Sequence, residues 1–377
     1  MGLVRPAVLE LAMGLDIGGA ENHIVSLGRS LKTRGWEVLV ASSGGRRVRD
    51  ILEAGIAHFH VPLSSRSPAK MLEAHIMLKK MIDEHPVHVI HAHARIPAWI
   101  ATPLARKRGI PLVTTYHGTF VSGFPWNVFT RPGDWTIAVS EDIKRYIVRE
   151  FRFREDRVTV IPNGIDCDDF KPVSPEEARL IRESLGIPPE SGPVVVYASR
   201  LTADLAATAC EVIQAVSRLL ASHPHIVLLI AGDGPYLGQV QSSAQAINER
   251  AGREIVRCLG FVADMAPLYQ ACDMVIGMSL VVMEAMACGK RAIVAGPQGD
   301  YGPVTAEILE TLEARNFTSR DAPRPVDPKI LAEEVRLVLS GGPSLAPDAA
   351  RDHILRHHSS EVTASQVEEV YRMLTGQ

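Results

Sequence analysis

Two stretches of this sequence have residue types and spacing suited to chemistry. His85, His88, His91 and His93 fall within nine residues, and His91 and His93, two apart, project to one face of any strand that carries them. Such imidazoles could ligate a transition metal or serve as hydrogen-bonding groups at a strand end. No acidic residue or cysteine lies among them in sequence, so strand-end and turn histidines stand as the alternative to a metal site. Gly18-Gly19 stands at the start of an apolar-periodic helix, where free backbone N–H groups can meet an anion. The same pair can equally serve a tight turn. The basic run from Lys144 to Arg154, with Arg106-Lys107-Arg108, suits either an anionic membrane surface or a solvated helix face.

The glycine loop admits a direct test against nucleotide folds. Gly14-Leu15-Asp16-Ile17-Gly18-Gly19 is not G-x-G-x-x-G, and the second strand ends in Ala41-Ser42-Ser43 with no acid to grip a ribose. A nicotinamide enzyme is therefore not expected, nor is a P-loop kinase, since G-x-x-x-x-G-K-[ST] is missing.

These residues are positioned by alternating elements. A strand over Val8–Met13, a turn over Gly14–Gly19 and a helix over Ala20–Arg34 with Ile24, Leu27 and Leu31 at helical spacing lead to a strand at Trp36–Ala41. Strands follow at Val87–Ala92, Leu112–Thr115, Asp134–Val139 and Val158–Ile161, with helices at Trp99–Arg108 and Glu141–Phe151. Proline-bearing sequence over Asp166–Pro175 reads as a linker. A second alternation begins at Val194–Ala198 and runs through Leu205–Ser222, Ile226–Ala231, Ile255–Leu259, Met265–Gln270, Met274–Ile276, Leu280–Cys288 and Ala292–Ala295. Two successive βα runs imply an α/β protein of two doubly wound, Rossmann-like domains facing across a cleft.

Composition agrees with that class. The chain has 377 residues, 46% hydrophobic and 22% charged, too long for one ordinary core and too apolar for disorder. Net charge is −3, which excludes a generally basic nucleic-acid binder. Residues 1–173 carry 23 Lys+Arg against 18 Asp+Glu, while the remainder carries 17 against 25. That asymmetry suits an N-terminal half that meets an anionic surface or ligand. No apolar stretch reaches the length of a membrane helix, and Arg5, Glu10 and Asp16 interrupt what would be a signal peptide. Five cysteines without a C-x-x-C pair read as reduced thiols. A cytoplasmic protein is expected.

An ordered set of motifs then carries a resemblance. Gly18-Gly19-Ala20-Glu21, His91-Ala92-His93, Tyr116-His117-Gly118, Val139-Ser140-Glu141 and Ile161-Pro162-Asn163-Gly164-Ile165-Asp166 are followed by Ser199-Arg200-Leu201, Gly232-Asp233-Gly234-Pro235, Gly260-Phe261-Val262 and Glu284-Ala285-Met286-Ala287-Cys288-Gly289. Together they resemble the family-4, retaining, nucleotide-sugar-dependent glycosyltransferases of the GT-B fold, over nearly the whole chain. The resemblance implies an acceptor-side domain over residues 1–171, with residues 360–377 crossing back to it, and a nucleotide-sugar domain over 172–359.

It also implies roles. Arg200 would pair with the diphosphate, unless it forms a structural ion pair. Glu284 would accept from the ribose hydroxyls, unless it caps its helix. Gly18, Gly19, Gly234, Leu280, Val281 and Phe261 would border the nucleotide, Phe261 through its backbone. His117 would sit beside the transferred sugar as a hydrogen-bonding group. Arg200, Glu284 and His117 are thus the expected catalytic residues, with no metal ligand and no cofactor besides the nucleotide-diphosphate sugar, of UDP type, as co-substrate. The acceptor would be a sugar or lipid-linked hydroxyl, as in cell-envelope polysaccharide assembly. Peripheral contact with the inner face of a membrane would accompany it.

Two positions depart from the family pattern. A lysine normally follows the arginine by five or six residues, where this chain has Leu205-Ala206. The glutamate normally found eight residues before Glu284 is replaced by Ile276, and Gly277-Met278-Ser279-Leu280 stands for an acidic, glycine-rich loop. These departures keep open a non-catalytic GT-B relative that binds a nucleotide or glycan and acts through partners. A nucleotide-sugar epimerase or sugar phosphorylase is opposed by the Glu284–Gly289 signature.

Overall fold

Apolar runs without polar alternation, such as Val194-Val195-Val196, suit strands covered on both faces. In the computed structural model, which describes residues 5–16, 18–124 and 126–376, every residue of Ala7–Leu11 and of Val194–Ala198 is buried. Ile17, inside the expected glycine turn, lies outside the described residues.

The chain divides into two units, Met1–Gly164 with Ser359–Gln377, and Ile165–His358. The first contains β1 (Ala7–Leu11), β2 (Glu37–Ser42), β3 (Ala57–His60), β4 (Val89–Ala92), β5 (Leu112–Tyr116), β6 (Trp135–Ala138) and β7 (Val158–Val160). They form a parallel sheet in the order β3-β2-β1-β4-β5-β6-β7. Alternate residues of β1 feed two cores. Val8 packs with Ile24, Leu27 and Leu31 of the helix Gly19–Thr33, whereas Leu9 and Leu11 pack with Leu78 and Leu104 on the other side. Each such aliphatic side chain contributes about 1.5–3 kcal/mol on burial.

The second unit contains β8 (Val194–Ala198), β9 (Val227–Ala231), β10 (Val256–Gly260), β11 (Met274–Gly277), β12 (Arg291–Gly296) and β13 (Gly299–Pro303). Their order is β10-β9-β8-β11-β12-β13, parallel except for the antiparallel edge strand β13. Both units are doubly wound α/β sheets, as the alternation in sequence implies.

The chain passes from one unit to the other at Gly164/Ile165 and back at His358/Ser359, against the expected residues 171/172 and 359/360. Ile165 already belongs to the second core, with Met283, Met286 and Ile354. The stretch read as a linker is held there too: Cys167 and Phe170 pack on second-unit cores, and Arg351 donates to the Phe170 and Cys167 carbonyls. On the first-unit side, a side chain at Gly164 would start 2.8 Å from the Cα of Ser360, so only glycine admits the returning chain there.

The terminal helix Ser360–Thr375 packs Val367, Val370 and Tyr371 into the first unit's core. Its Glu368 accepts from Trp36 Nε1 at 3.2 Å and pairs with Arg34 at 2.5 Å.

Several boundaries differ from the sequence reading. The helix expected from Trp99 starts at Arg95 and runs through Pro103; Pro97 falls in its first turn, where no N–H is needed. The seventeen-residue helix Pro68–Glu84 escapes a periodicity reading, because exposed Leu72 and Ile76 blur the buried stripe of Met71, Ala74, Leu78 and Met81.

Candidate functional site

In an open parallel sheet, ligands bind at the carboxyl ends of the strands where the strand order reverses. The first sheet reverses between β1 and β4, the second between β8 and β11. Each reversal carries one cluster of polar residues.

In the first unit, β4 ends one residue before His93 and β5 one residue before His117, while the fifth residue of helix Gly19–Thr33 is His23. Glu10 of β1 is in register with His91 of β4, and both point into the same buried layer. The His93 and His117 rings stack with centroids 5.5 Å apart, and His23 meets both edge-on at 5.8 and 5.2 Å. Glu10 is 1% exposed and bonds His93 Nε2 at 2.5 Å; His93 Nδ1 bonds His117 Nε2 at 3.2 Å. From the terminal helix, the Tyr371 hydroxyl donates to Glu10 Oε1 at 3.0 Å and accepts from His91 Nδ1 at 2.6 Å, and His91 Nε2 bonds the Thr115 hydroxyl at 2.6 Å.

Burial alone would raise the Glu10 carboxyl, but attraction and hydrogen bonds from His91 and His93 outweigh it and hold it well below the usual carboxylate range. Burial lowers His23 to about 3 and His93 to about 4, with neighbouring imidazoles adding to the effect. His117 is likewise driven well down, by burial and then by His23 and His93. At neutral pH Glu10 is therefore a carboxylate and the His23, His93 and His117 rings are neutral.

The hydrogen-bond directions follow. Ionised Glu10 only accepts, so His93 donates from Nε2, leaving Nδ1 bare to accept from His117 Nε2–H. His117 Nδ1 then carries a lone pair. Among the described residues that atom is buried without a hydrogen-bond partner, as are His23 Nδ1 and the Oδ1 of Asn163, which lies beside the His117 ring. Three buried polar atoms left open at one switch point mark a place for a polar ligand.

In the second unit, β8 ends at Ala198 and Arg200 follows, exposed, with no ion-pair or hydrogen-bond partner for its guanidinium among the described residues. Its turn is fixed by backbone: Ser199 N–H donates to Ala231 and Leu201 N–H to Asp233. A side chain at Gly234 would start 2.6 Å from the Leu201 carbonyl oxygen, so this glycine serves the approach of the two turns that presents Arg200.

Beyond β11, Ser279 precedes the helix Leu280–Ala287, its hydroxyl accepting from Asn316 Nδ2 at 3.1 Å and not from the helix N–H groups. Glu284 lies in its second turn, 5% exposed, too far along to cap the helix end. It neighbours Tyr269, whose phenol is pushed well up by burial and then by the Glu284 charge.

The comparisons with known proteins address what such a pair of sites belongs to. Residues 17–169 match Glycosyltransferase Family 4, and residues 192–312 match Glycosyl transferases group 1. The chain belongs to the glycosyltransferases. It is 28% identical to EpsD of Bacillus subtilis over 293 residues, covering 71% of this chain and 73% of that protein. It is 26% identical to the phosphatidyl-myo-inositol mannosyltransferase of Mycobacterium tuberculosis over 384 residues, 95% of this chain and 94% of that one. Among solved structures, Anabaena HepE in complex with UDP and glucose superposes with a TM-score of 0.75 at 20% identity, covering 97% and 99% of the two chains. The fold is that of the GT-B glycosyltransferases.

Within this glycosyltransferase, the expected site residues are distributed as follows. His117 joins His23, His93, Asn163 and the Gly18-Gly19 helix start in the first unit. Arg200, Gly234 and Glu284 gather around the second switch point. Phe261 follows β10 and is 39% exposed. Leu280 is buried in a second-unit core, and Val281, half-buried, packs against another. The acid that His91 and His93 lack in sequence joins them in space as Glu10. His93 stands at the strand end as expected, whereas His91 is a fully buried residue within the strand.

Sequence reasoning missed Glu10, His23 and Ser279. Ser279 adopts φ +53° and is bonded by Asn316 and Phe317, themselves at φ +53° and +52°. Non-glycine residues there cost about 1–3 kcal/mol each. Ile276 sits in the sheet core between Tyr197 and Ile293, so the shortened loop offers no carboxylate at that position. Leu205 lies in the first turn of the helix Ala203–Arg218.

Proposed function

We propose that this glycosyltransferase transfers a sugar from a nucleotide-diphosphate sugar of UDP type to an acceptor hydroxyl, with retention and without a catalytic metal. The observation that carries the reading is Arg200: a guanidinium without a partner among the described residues, placed by two backbone turns at the second sheet's switch point. Bidentate phosphate recognition is what such a group does best. Glu284 across that switch point would take the ribose hydroxyls. His117 Nδ1, His23 Nδ1 and Asn163 would take hydroxyls of the transferred sugar. The UDP and glucose bound by HepE support the donor class, and retention rests on the family resemblance.

With little covalent chemistry to perform, the protein would act mainly by positioning and charge stabilisation. The test is a panel of nucleotide sugars in the presence of chelator, scoring free nucleoside diphosphate and the anomeric configuration of the product by NMR. Inversion, or a requirement for divalent metal, would overturn the corresponding part of the proposal.

The acceptor would be a sugar or lipid-linked hydroxyl reached at a membrane surface. Among the described residues no helix is long and apolar enough to cross a membrane. Exposed Val121 and Phe124 stand in the first unit, as do Arg106, Lys107 and Arg108 at one helix end. Sedimentation with anionic vesicles tests this contact. A second, non-catalytic reading is favoured by Leu205 and Ile276, which stand where the family carries a lysine and a glutamate. Nucleotide binding without turnover of any donor would select it.

A further inference from the structure

Two groups of carboxylate and imidazole ligands occur among the described residues, Glu10 with His91 and His93, and Glu313 with His353 and His358. They are chemically alike but differ in what remains free. In the first, His91 and His93 spend all four ring nitrogens on Tyr371, Thr115, His117 and Glu10, and the layer is closed to solvent. Such a network is complete without an ion.

The second group is open. Glu313 ends the short helix Leu309–Glu313, and His353 belongs to the helix Pro347–His357, with His358 directly after it. One oxygen, Glu313 Oε1, faces His353 Nε2 at 2.8 Å and His358 Nε2 at 3.1 Å. The side chains of Glu313 and His353 are 32% and 15% exposed, so an ion has a way in. No arginine or lysine pairs with Glu313 among the described residues. A half-buried negative charge faces two imidazoles and no cation.

We propose that Glu313, His353 and His358 bind one divalent cation of the zinc class. Its fourth position would be taken by water or by His357, which lies one turn from His353 on the same helix face with ring centroids 4.8 Å apart. Two imidazoles and a carboxylate are a zinc-type donor set. Tetrahedral ligands at about 2.0–2.2 Å from zinc stand roughly 3.3 Å from one another. The two oxygen-to-nitrogen spacings here, 2.8 and 3.1 Å, fall within about half an ångström of that separation, and all three ligand atoms lie within 4.8 Å of one another. His358 is held for this purpose: its carbonyl accepts from Ile165 N–H at 2.7 Å. The ion would tie the two helices together in the second unit and take no part in sugar transfer. The inference does not rest on the proposed reaction.

The test uses the full-length chain freed of metal, titrated with Co(II) and with Zn(II). One equivalent should bind, giving the intense visible bands of tetrahedral cobalt without a thiolate-to-cobalt charge-transfer band. Zinc should raise the melting temperature and chelator should reverse it. Glu313→Gln and His353→Gln, both at partly exposed positions, should each weaken binding by roughly tenfold or more and abolish the thermal shift. Melting of the metal-free variants verifies that they fold. If one of them does not, perturbation of the His353 and His358 imidazole resonances in the unaltered chain on zinc addition replaces it. Substoichiometric uptake, a thiolate band, or unchanged binding in both variants would overturn the site.

Discussion

Glu10 Oε2 and His93 Nε2 lie 2.5 Å apart across the switch point of the first sheet, and that contact sets the proton positions of the site around it. Because Glu10 is ionised, His93 must donate to it, and every later hydrogen bond in the chain takes its direction from that one. The outcome is that His117 offers a ligand a lone pair at Nδ1 and selects a donor there. Nitrogen-15 NMR of the histidine rings should find His117 protonated on Nε2. In Glu10→Gln, the Tyr371 hydroxyl keeps the amide oxygen and the amide nitrogen faces His93, so each proton in the chain reverses. His117 should then be protonated on Nδ1, with loss of turnover and retained nucleotide binding. A proton on Nδ1 of His117 in the unaltered protein would overturn this ordering.

The same buried rings predict an acid-labile first unit. His23 and His93, at about 3 and about 4, bind protons less readily folded than unfolded, where histidine titrates near 6.5. Stability is therefore full above about pH 6.5 and is lost as pH falls towards 4, at roughly 2 kcal/mol per ring by pH 5. Glu10 has the same sign, since its lowered carboxyl stabilises the fold above its unfolded value near 4.3. His91 and Tyr371 face the same layer. Calorimetry between pH 7 and 5 should show a steep fall in melting temperature, flattened in His23→Gln. A flat profile in the parent would contradict the neutral-ring assignment.

The donor-site assignment is tested on the second unit. Arg200→Ala and Glu284→Ala should each weaken binding of nucleoside diphosphate by about 1.5–3 kcal/mol, the range for a hydrogen bond to a charged group. Arg200→Ala should leave thermal stability unchanged, because its exposed side chain has no partner to lose among the described residues. Titration calorimetry reads the binding and differential scanning the stability. Parent-like affinity in both variants would remove these residues from the site.

What the sequence made legible follows from the range of each signal. The helix Gly19–Thr33 announces itself through Ile24, Leu27 and Leu31 and the stop at Gly35, all local. Both doubly wound sheets follow from repeated strand–helix alternation, which is also local. Glu10 was out of reach: it sits in an apolar strand, 83 residues from His93 and 361 from Tyr371, and nothing in its neighbourhood marks a charge destined for burial. Ser279 was missed for a different reason. Serine has no requirement for positive φ, and only its bonds to Asn316 and Phe317, far along the chain, hold it there.

The position of Leu205 offers the sharpest discrimination between an active transferase and a binding relative. It lies in the first turn of the helix that follows Arg200, where the family pattern has a second cation for the diphosphate. Leu205→Lys should place an ammonium beside the phosphates and tighten nucleotide binding by up to about 1.5–3 kcal/mol if it bonds directly. Part of that gain is Coulomb attraction in solvent, so it should shrink as salt is raised from 0.01 M to 0.15 M and the screening length falls from about 30 to 8 Å. The backbone carbonyl of residue 205 accepts from the Tyr197 hydroxyl at 3.1 Å, and the substitution leaves that bond in place, so the turn should hold. Tighter binding together with faster donor turnover would mean that the missing cation limits an active enzyme. Tighter binding with no turnover in either protein would select the non-catalytic relative. Unchanged affinity would place the phosphates away from Leu205 and detach this turn from the donor site.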